Sequence, residues 1–269
     1  MDSGKHETLR AGCVMSLVKF DVRIREMVPE NSSLVVIGAH LFGDDPNDPI
    51  YSSVVQLSWD SVLLVEANPK IADTLQSRVI AQNPVPLAPH HNVHVVNQGV
   101  CPDNTKHLRP FYTLQETRGL PFWASQIGSF NREQVEMPLG MFAGLSGHKH
   151  TIESLKNRIA VQSVRCTSLL SLLQRRGISR VGVMLIDAEG LDCDIVAAQD
   201  WSSPEWRGDL GPAVLVFEWK NCQPAAYARA MTNLQQHQVG VGYRLVAETN
   251  ENAYFSRVVR RYARDDMRR

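Results

Sequence analysis

The sequence predicts an α/β protein: a doubly wound, mainly parallel sheet with an antiparallel C-terminal edge. Three observations predict it. The apolar runs "LVVIGAH" (34–40), "VLLVEANP" (62–69), "VHVVNQGV" (93–100), "VGVMLIDAEG" (181–190) and "AVLVFEW" (213–219) are continuous rather than alternating, as in strands covered on both faces. Helical patterns separate several of them. The final runs "YRLVAET" and "AYFSRVV" are parted only by a short "NEN", which reads as a hairpin.

The elements follow in order. Leu9, Cys13, Leu17, Phe20, Ile24 and Met27 recur every three or four positions, predicting an N-terminal helix over 8–28 that Pro29 ends. After the first strand comes a Gly/Asp/Pro loop and a short helix. Asn68 is a good N-cap with Pro69 at the first helical position, and Ile71, Leu75 and Val79 predict the inward stripe of the next helix. Residues 101–160 lack a clear period and are expected to form a substrate-side insertion. Thr167 is placed to cap "SLLSLLQRRG", closed by Gly177; "DCDIVAAQDW" is a short helix; and Pro224 opens a helix with Tyr227, Ala230, Met231 and Leu234 on one side. We read residues 1–269 as a single domain.

Composition narrows the function classes. Hydrophobic residues make up 43% and charged residues 21%, and the formal net charge is zero, so no long-range field draws the chain to nucleic acid or anionic lipid. No run approaches the roughly 20 apolar residues of a membrane helix, and "MDSGKHETLR" has no apolar leader core. A cytoplasmic protein with a small-molecule partner is expected. The five cysteines are scattered, odd in number and without a C-x-x-C pair, which predicts reduced thiols rather than bridges or a zinc site.

In open sheets of this kind ligands lie beyond the carboxyl ends of the strands. Gly38 and Gly43 after the first strand permit a tight turn and close backbone approach. Glu66 ends the second strand, at the distance from a glycine turn where an acid accepts hydrogen bonds from both hydroxyls of a ribose. Asp187 and Glu189 follow the fourth strand one residue apart, so an extended chain would turn one into the crevice while the other supports the turn. Glu218 and Asn221 close the fifth.

Taken together, "VVIGAHLFG", "LLVEANP", "VHVVNQGV", "VRCTSLLSLL", "LIDAEGLD", "AVLVFEW" and "GYRLVAETNENAYF" resemble the FkbM-type S-adenosylmethionine-dependent methyltransferases, over about residues 34–100 and 160–256. The resemblance implies a class I methyltransferase, Rossmann-like fold, bound S-adenosylmethionine, and methyl transfer to a hydroxyl of a small metabolite or sugar. By position it implies that Gly38, Ala39 and His40 line the methionine portion, that Glu66 and Asn68 belong to the cofactor site with Glu66 on the ribose, and that Asn97 and Gln98 lie near the adenine. Asp187 would stand beside the sulfonium and, with Glu189, form the catalytic pair. Val36 and His40 stand where that family carries an acid and an asparagine.

Alternatives stay open. A degenerate methyltransferase fold would serve as a binding or scaffold module, and Glu66 also suits an NAD-dependent oxidoreductase, although the full G-x-G-x-x-G pattern is missing. A divalent metal on Asp187, Glu218 and Asn221 is the less favoured option. His148 and His150 are base candidates from the insertion, and its Phe122, Trp123, Phe130, Met137, Met141 and Phe142 are either a lid or a satellite core. The arginine-rich C-terminus reads as a solvated end.

Overall fold

The computed structural model describes residues 24, 26–41, 54, 57–81, 92–103, 108–121, 124–125, 127–146, 150–235, 241–248 and 252–259. Most of the expected N-terminal helix, Gly43, Phe122, Trp123, His148 and the C-terminal arginines beyond Arg257 lie outside the described residues.

Seven strands form the main sheet: β1 (Ser33–Ile37), β2 (Ser61–Glu66), β3 (Asn92–Asn97), β8 (Val181–Ile186), β9 (Val214–Glu218), β10 (Val241–Glu248) and β11 (Asn252–Val259). Their order is β10-β11-β9-β8-β1-β2-β3. The first five in sequence run parallel, and β11 lies antiparallel between β9 and β10. The doubly covered sheet follows from the strand composition. On β1 and β2 the alternate residues Val35, Ile37, Leu63 and Val65 enter one core, while Leu34, Val36, Val62 and Leu64 enter the other. Each such side chain contributes about 1.5–3 kcal/mol through burial, which an alternating polar face could not supply.

Helix α1 (Pro69–Ile80) begins as expected: the Asn68 side chain accepts from the Lys70 N–H at 3.2 Å, with Pro69 in the first turn. Its buried face is Ala72 and Leu75 rather than the full Ile71–Leu75–Val79 stripe. On the other face lie α5 (Leu169–Arg175), α6 (Asp192–Ala197) and α8 (Pro224–Gln235). The cap of α5 is Ser168, one residue beyond Thr167, because Thr167 is still paired in a strand and its hydroxyl accepts from Arg175. Gly177 terminates that helix at φ +65°.

The third apolar run is two strands. β3 stops at Asn97; Gly99–Val100 (β4) leaves the main sheet and pairs with β7 (Ile159–Thr167) in a second sheet of order β4-β7-β5-β6, with β5 (Leu108–Leu114) and β6 (Gly128–Ser129). β7 shows a period of two that marks a half-exposed strand: Ser163 and Arg165 are exposed, Val164 and Cys166 buried. Helices α2 (Arg132–Glu136), α3 (Leu139–Leu145) and α4 (Ile152–Lys156) cover it around a separate core of Leu114, Val135, Leu139, Phe142 and Leu155. Phe142 therefore belongs to a satellite core, whereas Met137 and Met141 are 63% and 50% exposed. α7 (Pro204–Arg207) precedes β9.

The expectation of reduced thiols is overturned. Cys101 pairs with Cys166 and Cys193 with Cys222, each with Cα atoms 5.8 Å apart. Separations of 65 and 29 residues conceal the pairs in the sequence; the β4–β7 register, which sets Gly99 opposite Cys166, brings the first together. Such bridges persist in oxidising surroundings, which weighs against the expected cytoplasmic placement. Among the described residues no helix is long and apolar enough to cross a membrane.

Candidate active site at the strand ends

β1 lies between β2 and β8, so the chain leaves its carboxyl end where strand order reverses, the place at which open sheets of this kind bind ligands. Gly38 makes the turn at φ +74°, and the N–H groups of Gly38 and Ala39 both donate to the Val65 carbonyl at 2.9 Å. A Cβ on Gly38 would lie 1.6 Å from the Asp187 carbonyl oxygen, while the Asp187 N–H donates to the Ile37 carbonyl at 2.9 Å. The two loops are thus in backbone contact, and only glycine satisfies both conditions. His40 follows at φ +48°, a left-handed conformation that histidine and asparagine tolerate better than most residues.

Glu66 sits beside that turn, 6% exposed. One carboxylate oxygen accepts from the His40 N–H at 2.8 Å and the other from the Asn68 N–H at 2.6 Å. Burial pushes its pKa up, opposed by the hydrogen bonds from Asn68, His40 and Ala67. The carboxylate is oriented by backbone, and a carboxylate with about four lone-pair sites keeps acceptor capacity for a ligand. Asn97 does not point to a free position: its amide donates to the Glu66 and Ala67 carbonyls at 3.0 and 3.2 Å, locking β3 to β2. Gln98 is 9% exposed, and among the described residues its side-chain nitrogen has no hydrogen-bond partner.

The loop after β8 separates its two acids. Asp187 is exposed, and Glu189 is half-buried at φ +49°. Burial, then the charges of Glu218 and Glu66, push Glu189 up to about 7, with Lys220 opposing. Asp192, fully buried at the start of α6, accepts from the Ala188 and Gly190 N–H groups at 2.8 and 3.1 Å and so holds the loop from beneath; burial pushes its pKa up as well. The Asn221 amide donates to Glu218 at 2.9 Å. From the insertion, the Ser129 hydroxyl donates to the Glu189 carbonyl at 2.8 Å and the Gln134 amide to the Asn221 carbonyl at 3.5 Å.

Gly38, Ala39, His40, Glu66, Asn68, Gln98, Asp187 and Glu189 are therefore carried by adjoining strand ends. The Asn68 side chain is occupied as a helix cap. His150 is turned instead to Arg158, 3.1 Å away. Sequence reasoning missed Asp192, Ser129 and Gln134; only Asp192 left a signal, an acid in the first turn of a predicted helix. Among the described residues no group of three or more His, Cys, Asp or Glu side chains is arranged to hold a metal.

The shift on Glu189 sets a pH dependence. Its folded pKa of about 7 exceeds the ordinary 4.5, so the folded state binds more protons between those values. Its contribution, about 3 kcal/mol, is fully present below about 4.5 and is lost as pH rises through about 7. Denaturant unfolding across that window should show the decline, and Glu189→Gln should flatten it; an unaltered slope in the variant would refute the assignment.

No family model matches the chain, and no curated protein matches it.

Proposed function

We propose that the chain is an S-adenosylmethionine-dependent methyltransferase of class I, FkbM-like, acting on a hydroxyl of a small acceptor. The observation that carries this reading is the Glu66 carboxylate at the end of β2, buried and held by the backbone of the Gly38–His40 turn. In that position it accepts the two hydroxyls of one ribose. The strand order supports the same reading: only β11 runs against the other strands, inserted between β9 and β10, where a dinucleotide fold sets its sixth strand directly beside the fifth. One nucleoside site is expected rather than two, which disfavours NAD.

The two departures from the family pattern are compatible with activity. His40 contributes its N–H to Glu66, which any residue but proline can supply, and it tolerates the left-handed turn that asparagine tolerates. Val36 is 5% exposed in the core on one sheet face, not in the crevice. The residues fit the cofactor: the Gly38 turn would receive the methionine portion, Glu66 the ribose and Gln98 the adenine.

The bound cofactor supplies an electrophilic methyl group on a sulfonium. The protein's share is to align the acceptor oxygen opposite the carbon–sulfur bond and remove its proton. Glu189, with a pKa of about 7, would take that proton, and its charge together with Glu66 and Glu218 would favour a cationic sulfonium over the neutral thioether. Asp187 orients the acceptor from the exposed side. S-adenosylmethionine affinity relative to S-adenosylhomocysteine should thus rise with pH through about 7; calorimetric titration showing a flat ratio would remove Glu189 from this role.

At a hundred times its dissociation constant S-adenosylhomocysteine should stabilise the protein by about 2.7 kcal/mol, a midpoint increase of roughly 5–10 °C, whereas NAD should give none. Glu66→Ala should abolish the increase. Stabilisation by NAD, or an undiminished response in the variant, would overturn the reading.

A further inference from the structure

We propose that the Cys193–Cys222 bridge is a reducible strap that fixes the two carboxylate-bearing loops of the crevice, and that its opening by a dithiol releases them. The bridge joins the first turn of α6 to the loop after β9. Cys193 directly follows Asp192, whose carboxylate holds the Ala188 and Gly190 amides and with them the segment bearing Glu189. Cys222 directly follows Asn221, whose amide holds the Glu218 carboxylate, and the Cys222 sulfur lies 3.4 Å from the Glu218 carbonyl oxygen. One covalent link therefore clamps the supports of both acids.

The two bridges differ in accessibility. Cys101 and Cys166 are both wholly buried. Cys193 is 1% exposed but Cys222 is only partly buried, so this bridge lies nearer solvent than the other. A thiolate of a dithiol reductant attacks the Cys222 sulfur, the sulfur–sulfur bond breaks, and Cys193 leaves as a thiolate that takes up a proton. The reductant's second thiol, deprotonated, then displaces Cys222, which is protonated in turn. Two electrons and two protons pass from dithiol to protein.

α6 and α8 are joined independently of the bridge: Arg229 donates to Asp194 at 3.0 Å and Asn233 to the Ala197 carbonyl at 2.6 Å, and both helices pack into the same core. The helices stay docked while the loops in front of them gain freedom. The effect is local, and it stands independently of the methyltransferase reading.

The test is hydrogen exchange of the full chain with and without dithiothreitol under native conditions, with differential alkylation to identify the opened pair. We expect Cys193 and Cys222 to be alkylated while Cys101 and Cys166 remain protected, and peptides covering 187–192 and 218–223 to exchange roughly tenfold faster. Reoxidation should restore the slow rate. Cys193→Ala with Cys222→Ala should exchange fast without reductant and ignore it. Alkylation of the pair with unchanged exchange in those peptides would overturn the proposal, as would opening of Cys101–Cys166 with equal ease.

Discussion

Gly38→Ala is expected to lower the unfolding midpoint by roughly 5–15 °C, because among the described glycines its added Cβ meets the closest obstruction. Two costs combine. The left-handed conformation at φ +74° costs an alanine about 1–2 kcal/mol. The new Cβ would also lie 1.6 Å from the Asp187 carbonyl oxygen, so β1 and the loop after β8 must separate, at about 1–3 kcal/mol more. Gly177→Ala isolates the first cost: Gly177 has φ +65°, but a Cβ there meets nothing within 4 Å. Thermal unfolding of both variants should show Gly38→Ala losing clearly more. Equal losses would mean that the contact with Asp187 is not tight, and the geometry of the crevice would need revision.

Removing the buried bridge, by Cys101→Ala with Cys166→Ala, should cost about 4 kcal/mol, or roughly 8–16 °C in midpoint. The link spans 65 residues of sequence and closes a long loop, so its loss returns much conformational freedom to the unfolded chain. Alanine is the better probe than serine, since both positions are fully buried and a serine hydroxyl would need a partner. The second sheet attaches to the main one where β3 passes into β4, so its core should loosen first. A double variant that unfolds together with the oxidised parent would show that the pair carries no stability.

Much of this architecture was legible because it rests on local signals. Continuous runs such as "LVVI" and "VLLV" cannot be amphipathic, so their strands must be covered twice, and the two cores on opposite faces of β1 and β2 bear this out. The hairpin after α8 was equally legible from the short gap between two β-rich runs. Where polar and apolar residues mix, the reading faltered. "IAVQSVRCT" alternates as a strand should, yet its partner β5 lies some fifty residues earlier and no local cue names it. The N-cap of α5 moved from Thr167 to Ser168 for the same reason: pairing with β4 holds Thr167 in the strand.

At the crevice, the chain's own order determined the cast, placing Gly38, Glu66, Asp187, Glu189, Glu218 and Asn221 at strand ends, because apolar runs must stop where solvent begins. Only the folded arrangement decided their parts. It exposed Asp187 and half-buried Glu189, since a left-handed turn replaced the extended chain that alternation assumes. It brought Asp192 beneath the loop and Ser129 and Gln134 onto it, and it joined cysteines 65 and 29 residues apart. Spacing along a chain encodes neighbours within a helix or strand; contacts between distant segments depend on how the sheets close, and carry no short-range trace.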